Sequence, residues 1–486
     1  MNLETATNPT NLRKVVIDPL SRVEGHGKVT LLVDDQNQIK QARLHIVEFR
    51  GFEVFICGRP YWEVPVSVQR LCGICPVSHH LAAVKAMDPI AGYSELTPTA
   101  EKIRRLMHYG QILQSHALHF YHLCSPDLLL GFDCEVTKRN IVGIVNAYPD
   151  IAKQGVLIRK YGQDVIKLTA GKRIHGTGAI PGGVNKSLSE QEKQHLLEKI
   201  DTIIEWSQNA VNLLSELHQS KSDFYDNFGN VPASMLNLVG ANGEMDLYHG
   251  KISAVDQKGQ SIFTPFDYNN YLDYLVEDVK SWSYMKFVSL NHNGDDKGWY
   301  RVGPLARVQN CEYIPSPLAE AERKKWLEYN KNQNTHGALS YHWARLIEML
   351  HAAEIIKELL NHPDITGKNL MSDRGKAKDE SVGVVEAPRG TLIHHYKVDE
   401  DGLVNYCNLI VSTTHNNQAM NESIRSVAAD FIDGKEITEG LLNHIEVAIR
   451  AYDPCLSCAT HALGKMPLTV ELVDNSGSTI SSLSRN

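Results

Sequence analysis

Two short pieces stand near opposite ends of this chain: "RLCGICPVSH", residues 70–79, and "DPCLSCATH", residues 453–461. Each holds a Cys-x-x-Cys, and each has a histidine within four residues of its second cysteine. A Cys-x-x-Cys sets two thiolates on one side of a tight turn, which suits a soft metal. Redox dithiols use the same spacing, so one pair decides little, whereas two pairs can make a four-sulfur site. Structural zinc modules keep their pairs close, the second about 15–20 residues after the first. Here nearly the whole chain lies between them. Any fold that uses both must bring its two ends together and bury the meeting point in a large core. From the residues alone, the set Cys72, Cys75, Cys455 and Cys458 fits zinc, an iron–sulfur cluster or a catalytic transition-metal site.

The 486 residues are enough for such a core, and 42% are apolar. A net charge of −8, with no basic run, disfavours nucleic acid and anionic membrane as partners. No apolar run approaches the roughly 18 residues of a membrane span, and "MNLETATNPTNLRK" lacks the apolar centre of a signal peptide. The expectation is a cytoplasmic protein with no membrane span. In that reducing compartment the nine cysteines are not expected to form structural disulfides. The five outside the motifs, Cys57, Cys124, Cys134, Cys311 and Cys407, read as small buried apolar residues.

The periodicities predict an α+β chain, predominantly α: a large helix-bundle core with small antiparallel β elements at the N-terminus, mid-chain and near residues 383–412. "KVVI", "GKVTLLV" and "IKQARLHIVEF" read as strands around a turn at 34–38. Helices are predicted over 98–123, from Ser189 onward with Glu192 in the capping-box position, and over 338–361. Residues 234–265 return to strands with a turn at Asn242–Gly243. "GKNLMSDRGKAKDESVG", 367–383, reads as an exposed loop, and the next stretch, to Ser412, as two strands around an acidic turn. The tail "DNSGSTISSLSRN" is Ser-rich and reads as mobile.

The two cysteine motifs resemble the signatures of the large, catalytic subunit of nickel–iron hydrogenases. "SRVEGHGKV" (21–29), "FRGFE" (49–53), "HFYHL" (119–123), "PGGV" (181–184), "VGPLARV" (302–308) and "EAPRGTL" (386–392) agree in order, so the resemblance spans nearly the whole chain. "CLSCATHALGKMPL" is most similar to the cytoplasmic, bidirectional, NAD(P)-linked type.

That resemblance implies roles. Cys72 and Cys455 would be terminal nickel ligands. Cys75 and Cys458 would bridge nickel to an iron carrying cyanide and carbon monoxide, which implies maturation proteins to supply those ligands. Glu24 would be the first proton carrier, Arg389 would stand over the open metal position, and Asp453 would orient that arginine. His79 would donate to a bridging sulfur. Each has a plainer reading: an exposed acid at a strand start, a turn arginine paired with a surface acid, an Asp-Pro turn residue and a satisfied core histidine. Glu53, the carbonyl of Leu409 and His461 would hold magnesium. Relatives carry an Asp where this chain has Ser115, so a carboxylate near the arginine is missing or supplied elsewhere.

The implied reaction is reversible cleavage of H2 into protons and electrons. Five scattered cysteines cannot build a cluster relay. An Fe–S small subunit is therefore implied, and beyond it a flavin/NAD diaphorase module. Residues 1–461 would form one large-subunit domain. Residues 462–486 would be a propeptide cut off by a C-terminal endopeptidase once the metals are in place. The rival readings are a metal-free hydrogenase-like subunit of a respiratory complex and a structural four-sulfur zinc protein.

Overall fold

In the computed structural model the described residues are 3–291, 298–460, 468–473 and 479–485. The N-terminal strands β1 (Arg13–Ile17), β2 (Gly27–Val33) and β3 (Ile39–Ile46) form an antiparallel sheet in the order β1-β2-β3. Val29, Leu31, Val33, Leu44 and Ile46 seal its inner face. A short helix α1 (Phe52–Ile56) comes next, and then α2 (Pro76–Ile90), which begins directly after the first cysteine pair.

Three long helices were expected and three form at those places. The first, α3 (Pro98–Leu118), is capped by the Thr97 hydroxyl, which accepts from the Ala100 N–H. It runs on through a π-turn over His119–Cys124. Between it and the next lies α4 (Pro149–Ala170), which packs along α3. Helix α5 (Glu190–Ser220) opens with the full capping box of Ser189 and Glu192.

The mid-chain sheet comprises β4 (Ser234–Val239), β5 (Lys251–Val255), β6 (Ser261–Phe266) and the short β7 (Tyr300–Arg301), in the order β7-β4-β5-β6. After α6 (Pro304–Asn310) comes α7 (Ser340–Asn361), which packs on both α3 and α5. Helix α7 has no solvent face over most of its length, as befits the central rod of a bundle. Its buried side chains include His342, Arg345, Glu348 and His351, an inner polar line at three-residue steps.

The region near 383–412 departs from expectation. It holds three strands, not two: β8 (Glu380–Ala387), β9 (Gly390–Val398) and β10 (Val404–Ile410). Ala387 pairs with Gly390, so Pro388 and Arg389 are the whole loop of a tight hairpin. Both flanks are apolar because the hairpin is buried, which hid the turn within one long apolar run. Helices α8 (Asn417–Val427) and α9 (Glu439–Ala451) then lead to the second cysteine pair. Beyond the second cysteine pair, β11 (Leu468–Val473) and β12 (Thr479–Arg485) pair antiparallel, within the tail read as mobile. Cys124, Cys311 and Cys407 are buried as expected, Cys134 is partly covered and Cys57 is exposed at the surface end of α1, its thiol donating to the Glu53 carbonyl at 3.3 Å. No helix among the described residues is long and apolar enough to cross a membrane.

Candidate metal centre

The two ends of the chain do meet. Cys72 follows a 3-10 turn over Val68–Leu71, and Cys75 is the N-cap of α2. Beyond α9, Asp453 adopts a left-handed conformation (φ 54°), which turns the chain sharply and delivers Pro454 and Cys455 inward. Cys455 forms a parallel bridge with Glu24, from the loop between β1 and β2, and the Leu456 N–H donates to the Glu24 carbonyl at 3.0 Å. Gly25 makes the approach possible. Its φ is +83°, and a Cβ there would stand 2.6 Å from the Ser457 nitrogen.

All four sulfurs lie within 4.8 Å of one another and all four cysteines are buried. Cys455 Sγ is 2.7 Å from Cys458 Sγ, 3.4 Å from Cys72 Sγ and 3.9 Å from Cys75 Sγ, and Cys75 and Cys458 are 3.7 Å apart. Hydrogen bonds from the other three thiols hold Cys72 well below the ordinary thiol value. Burial and the neighbouring sulfurs push Cys455 well above it, and burial does the same for Cys458. Four thiolates this close cannot all ionise without a cation among them. The donor set therefore fits a thiophilic metal centre.

Glu24, Arg389 and Asp453 stand close to the sulfurs. Glu24 is half-buried rather than an exposed strand-start acid. Its Oε2 accepts from Cys455 Sγ at 2.9 Å, and Oε1 pairs with the Ser457 hydroxyl. Burial, and then the charge of Cys72, hold its carboxyl above the usual range, against the lowering hydrogen bonds of Cys455 and Ser457. Arg389 is buried, with Nε donating to the Asp453 carbonyl at 2.6 Å and Nη2 to Asp453 Oδ1 at 3.1 Å. Burial opposes the guanidinium charge, but Asp453 and the thiolates more than offset it and keep Arg389 firmly protonated. The plainer reading, a turn arginine with a surface acid, is half right: it is a turn residue, but its acid is buried beside the metal ligands.

A small cavity lies between Cys75, Cys455 and the Arg389 turn, with Ser78, His79 and Thr413 also on its wall. Two buried polar atoms of its lining residues, Arg389 Nη1 and Ser78 Oγ, have no hydrogen-bond partner among the described residues. Donors stranded in this way fit small acceptor ligands at that spot. The sequence missed Thr413, whose Oγ1 accepts from the Cys455 N–H at 2.9 Å. It also missed the partner of His79, whose Nδ1 lies 3.1 Å from His394 Nε2. His394 in turn meets the Tyr396 hydroxyl at 2.7 Å.

Glu53 lies away from the sulfurs, on α1. Its Oε1 accepts from the Leu409 N–H at 2.9 Å and from Lys286 Nζ at 3.0 Å. Burial raises its carboxyl above the usual range, opposed by Lys286. His461 lies outside the described residues. A second buried group, His119, Cys124 and His342, also has its ligand atoms within 4.8 Å. There His119 Nε2 is spent on the Arg450 carbonyl at 2.7 Å, and Arg345 adds positive charge beside both imidazoles. Those surroundings suit a packed core better than a cation.

Comparison with known proteins agrees with this geometry. The sequence pattern of the nickel-dependent hydrogenases matches residues 50–132 and 248–461, and a HoxL-like pattern matches residues 14–49. The NAD-reducing hydrogenase HoxS subunit beta of Cupriavidus necator is 47% identical, with 97% of this chain and 100% of that protein covered. An F420-non-reducing hydrogenase (vhc) subunit of Methanococcus voltae is 40% identical over 94% of this chain and 96% of that protein. Among solved structures, an NAD+-reducing [NiFe]-hydrogenase in the H2-reduced state superimposes with a TM-score of 0.90 at 55% identity, covering 92% of this chain and 99% of that one. The Ni-Fe-Se hydrogenase of D. vulgaris Hildenborough, at 22% identity and a TM-score of 0.74 over 93% of this chain and 100% of that one, shares the fold.

Proposed function

The chain belongs to the nickel-dependent hydrogenase family, and on that premise we propose that it is the catalytic large subunit of an NAD(P)-linked nickel–iron hydrogenase. The observation that carries the reading is the meeting of Cys72, Cys75, Cys455 and Cys458 with Glu24 2.9 Å from one of the sulfurs. Cys72, Cys75, Cys455 and Cys458 would together hold nickel and an iron bearing cyanide and carbon monoxide. When bound, that pair supplies Lewis acidity and redox capacity for splitting H2 into two protons and two electrons.

The chain's own residues do the rest. Cys455 Sγ can hold a proton and pass it to Glu24 Oε2 along their hydrogen bond. Glu24, with its carboxyl raised by burial and hydrogen-bonded to the Ser457 hydroxyl, receives it. Arg389 Nη1 and Ser78 Oγ offer donors to the iron's diatomic ligands, while Asp453 holds the guanidinium in place. His79, lining the cavity, would hydrogen-bond the Cys75 sulfur with His394 as its anchor.

Electrons leave through a partner, because the five other cysteines form no second four-sulfur group among the described residues. Val47, Phe49, Val54, Phe55, Trp62 and Val66 leave apolar side chains exposed in one stretch. Arg50 ties that stretch to the Cys72 turn by donating to the Leu71 carbonyl at 3.2 Å. An Fe–S small subunit seated there would cover the strip and stand close to the sulfurs. A flavin/NAD diaphorase module lies beyond it, in the cytoplasm. Magnesium would be held by Glu53, the Leu409 carbonyl and His461, with Lys286 balancing the carboxylate.

Maturation proteins would load the metals, and an endopeptidase would then remove residues 462–486. The family match ending at residue 461 supports this cut, as does coverage of 99% of the solved chain against 92% of this one. Mass spectrometry of active enzyme should find a chain ending at His461; an intact tail in fully active protein would overturn the cleavage. For the function itself, the purified complex should contain nickel and iron, show the infrared bands of bound cyanide and carbon monoxide, and reduce NAD(P)+ with H2. Zinc alone, with no such bands, would overturn it.

A further inference from the structure

The Pro388–Arg389 loop is an unusual hairpin tip, because it is buried. Buried carbonyls at such a tip have no water to satisfy them and need a donor from the protein. That donor is Arg307, on α6. Its Nη1 donates to the Ala387 carbonyl at 3.1 Å and its Nη2 to the Pro388 carbonyl at 3.3 Å. The three remaining N–H groups go to carboxylates: Nε and Nη2 to Glu348 at 2.6 and 2.5 Å, and Nη1 to Glu386 at 2.5 Å. All five donors of one guanidinium are spent.

The two carboxylates are themselves fixed. Glu386 Oε1 accepts from the Thr391 hydroxyl at 2.7 Å and the Leu238 N–H at 2.8 Å, so it ties both sides of the hairpin to β4. Glu348, on the central helix α7, also meets His116 Nε2 at 2.8 Å. Ser115 carries no carboxylate; its neighbour His116 meets Glu348, which serves Arg307, while Arg389 takes its carboxylate from Asp453. On the far side of the loop, the Gly390 carbonyl accepts from Ser412 at 2.7 Å, and Gly303 lies so close that an added Cβ would stand 2.8 Å from the Arg389 carbonyl. Charge neutralisation alone would need one carboxylate. Two, gripping a planar fork from two elements, fix its orientation.

We propose that Arg307, held by Glu348 and Glu386, is a positioning residue that sets where Arg389 stands over the four sulfurs. The role rests on the hydrogenase reading above and deepens it. Arg307 touches no sulfur; it acts through the backbone of the turn.

The test uses the assembled, metal-loaded complex with Arg307→Met, Glu348→Gln and Arg389→Lys, singly and with the first and last combined. Arg307→Met should keep nickel and iron, shift the cyanide and carbon monoxide bands, and lower kcat for H2 oxidation about 100-fold, the usual penalty of a misplacement near 1 Å. KM for H2 should change little. Glu348→Gln, the milder change should Arg307→Met fail to fold, should give the same band shift with a loss of about tenfold. In the Arg389→Lys background, Arg307→Met should add less than about threefold, because the two act as one unit. Wild-type bands and rates in either variant would overturn the role. So would losses that multiply in the double variant, or failure of both variants to load metal. The wild-type complex separates the two levels: no bands there would sink the hydrogenase reading, whereas normal bands there with unaltered variants would sink only the positioning role.

Discussion

Glu24→Gln is the sharpest probe of the proton route. The substitution keeps the side-chain length and leaves an oxygen for the Ser457 hydroxyl. The backbone bond from Leu456 to the Glu24 carbonyl does not involve the side chain at all. What it removes is the group that can take a proton from Cys455 Sγ, 2.9 Å away. A positioned acid–base group contributes about 10²–10⁴-fold, equivalent to about 2.7–5.5 kcal/mol of barrier. Turnover with H2 and a dye acceptor should therefore fall by at least about 100-fold, while metal content and infrared bands stay at wild-type values. Glu24→Asp supplies the internal scale. It withdraws the carboxylate by about one 1.5 Å bond, past hydrogen-bond reach of the sulfur, yet keeps an ionisable group nearby. Its turnover should lie between those of wild type and the glutamine variant. A glutamine variant that retains more than a tenth of wild-type turnover, or an aspartate variant no better than it, would refute the route.

Cys455→Ala removes the sulfur that contacts the other three, so the purified complex should lose nickel and H2 uptake together in metal analysis and gas-electrode assays. Gly25→Ala puts a Cβ against the Ser457 nitrogen at φ +83°. It should destabilise by about 1–3 kcal/mol and lower turnover by parting Glu24 from Cys455, read by denaturant midpoint and H2 oxidation. Burial holds His80, His108 and His351 neutral down to about pH 4, and His415 to about 3. The unfolded chain binds those protons near the ordinary value of 6.5, so stability present above that pH should fall as pH drops towards 4. Each such histidine should remove up to about 1.4 kcal/mol per pH unit. Urea midpoints that stay flat from pH 7 to 5 would contradict this.

The elements around the centre differ in how far the sequence disclosed them. The cysteine pairs follow from residue type and spacing, whereas Glu24 and the Asp453–Arg389 contact are what the family resemblance implies. The long helices follow from apolar spacing and, at Ser189 and Glu192, from capping chemistry. The Arg389 hairpin was concealed because a buried turn carries no polar flank, and "VGVVEAPRGTLIHHYKV" reads as one apolar run. Arg307 gave no local sign of its target, since its partners come from α7, β8 and the turn beyond it. The polar steps within α7, from His342 to His351, were the available hint: side chains of that kind inside an apolar rod must find one another. The His79–His394 contact joins segments that no periodicity connects.

Glu24 and Cys455 are neighbours in space although one belongs to the opening loop and the other to the closing segment. A ribosome must therefore complete nearly the entire message before the pocket exists. Until then the nascent chain displays the leading pair of sulfurs alone, half of the donor set. The complete set of four sulfurs therefore exists only once both ends of the chain have been made.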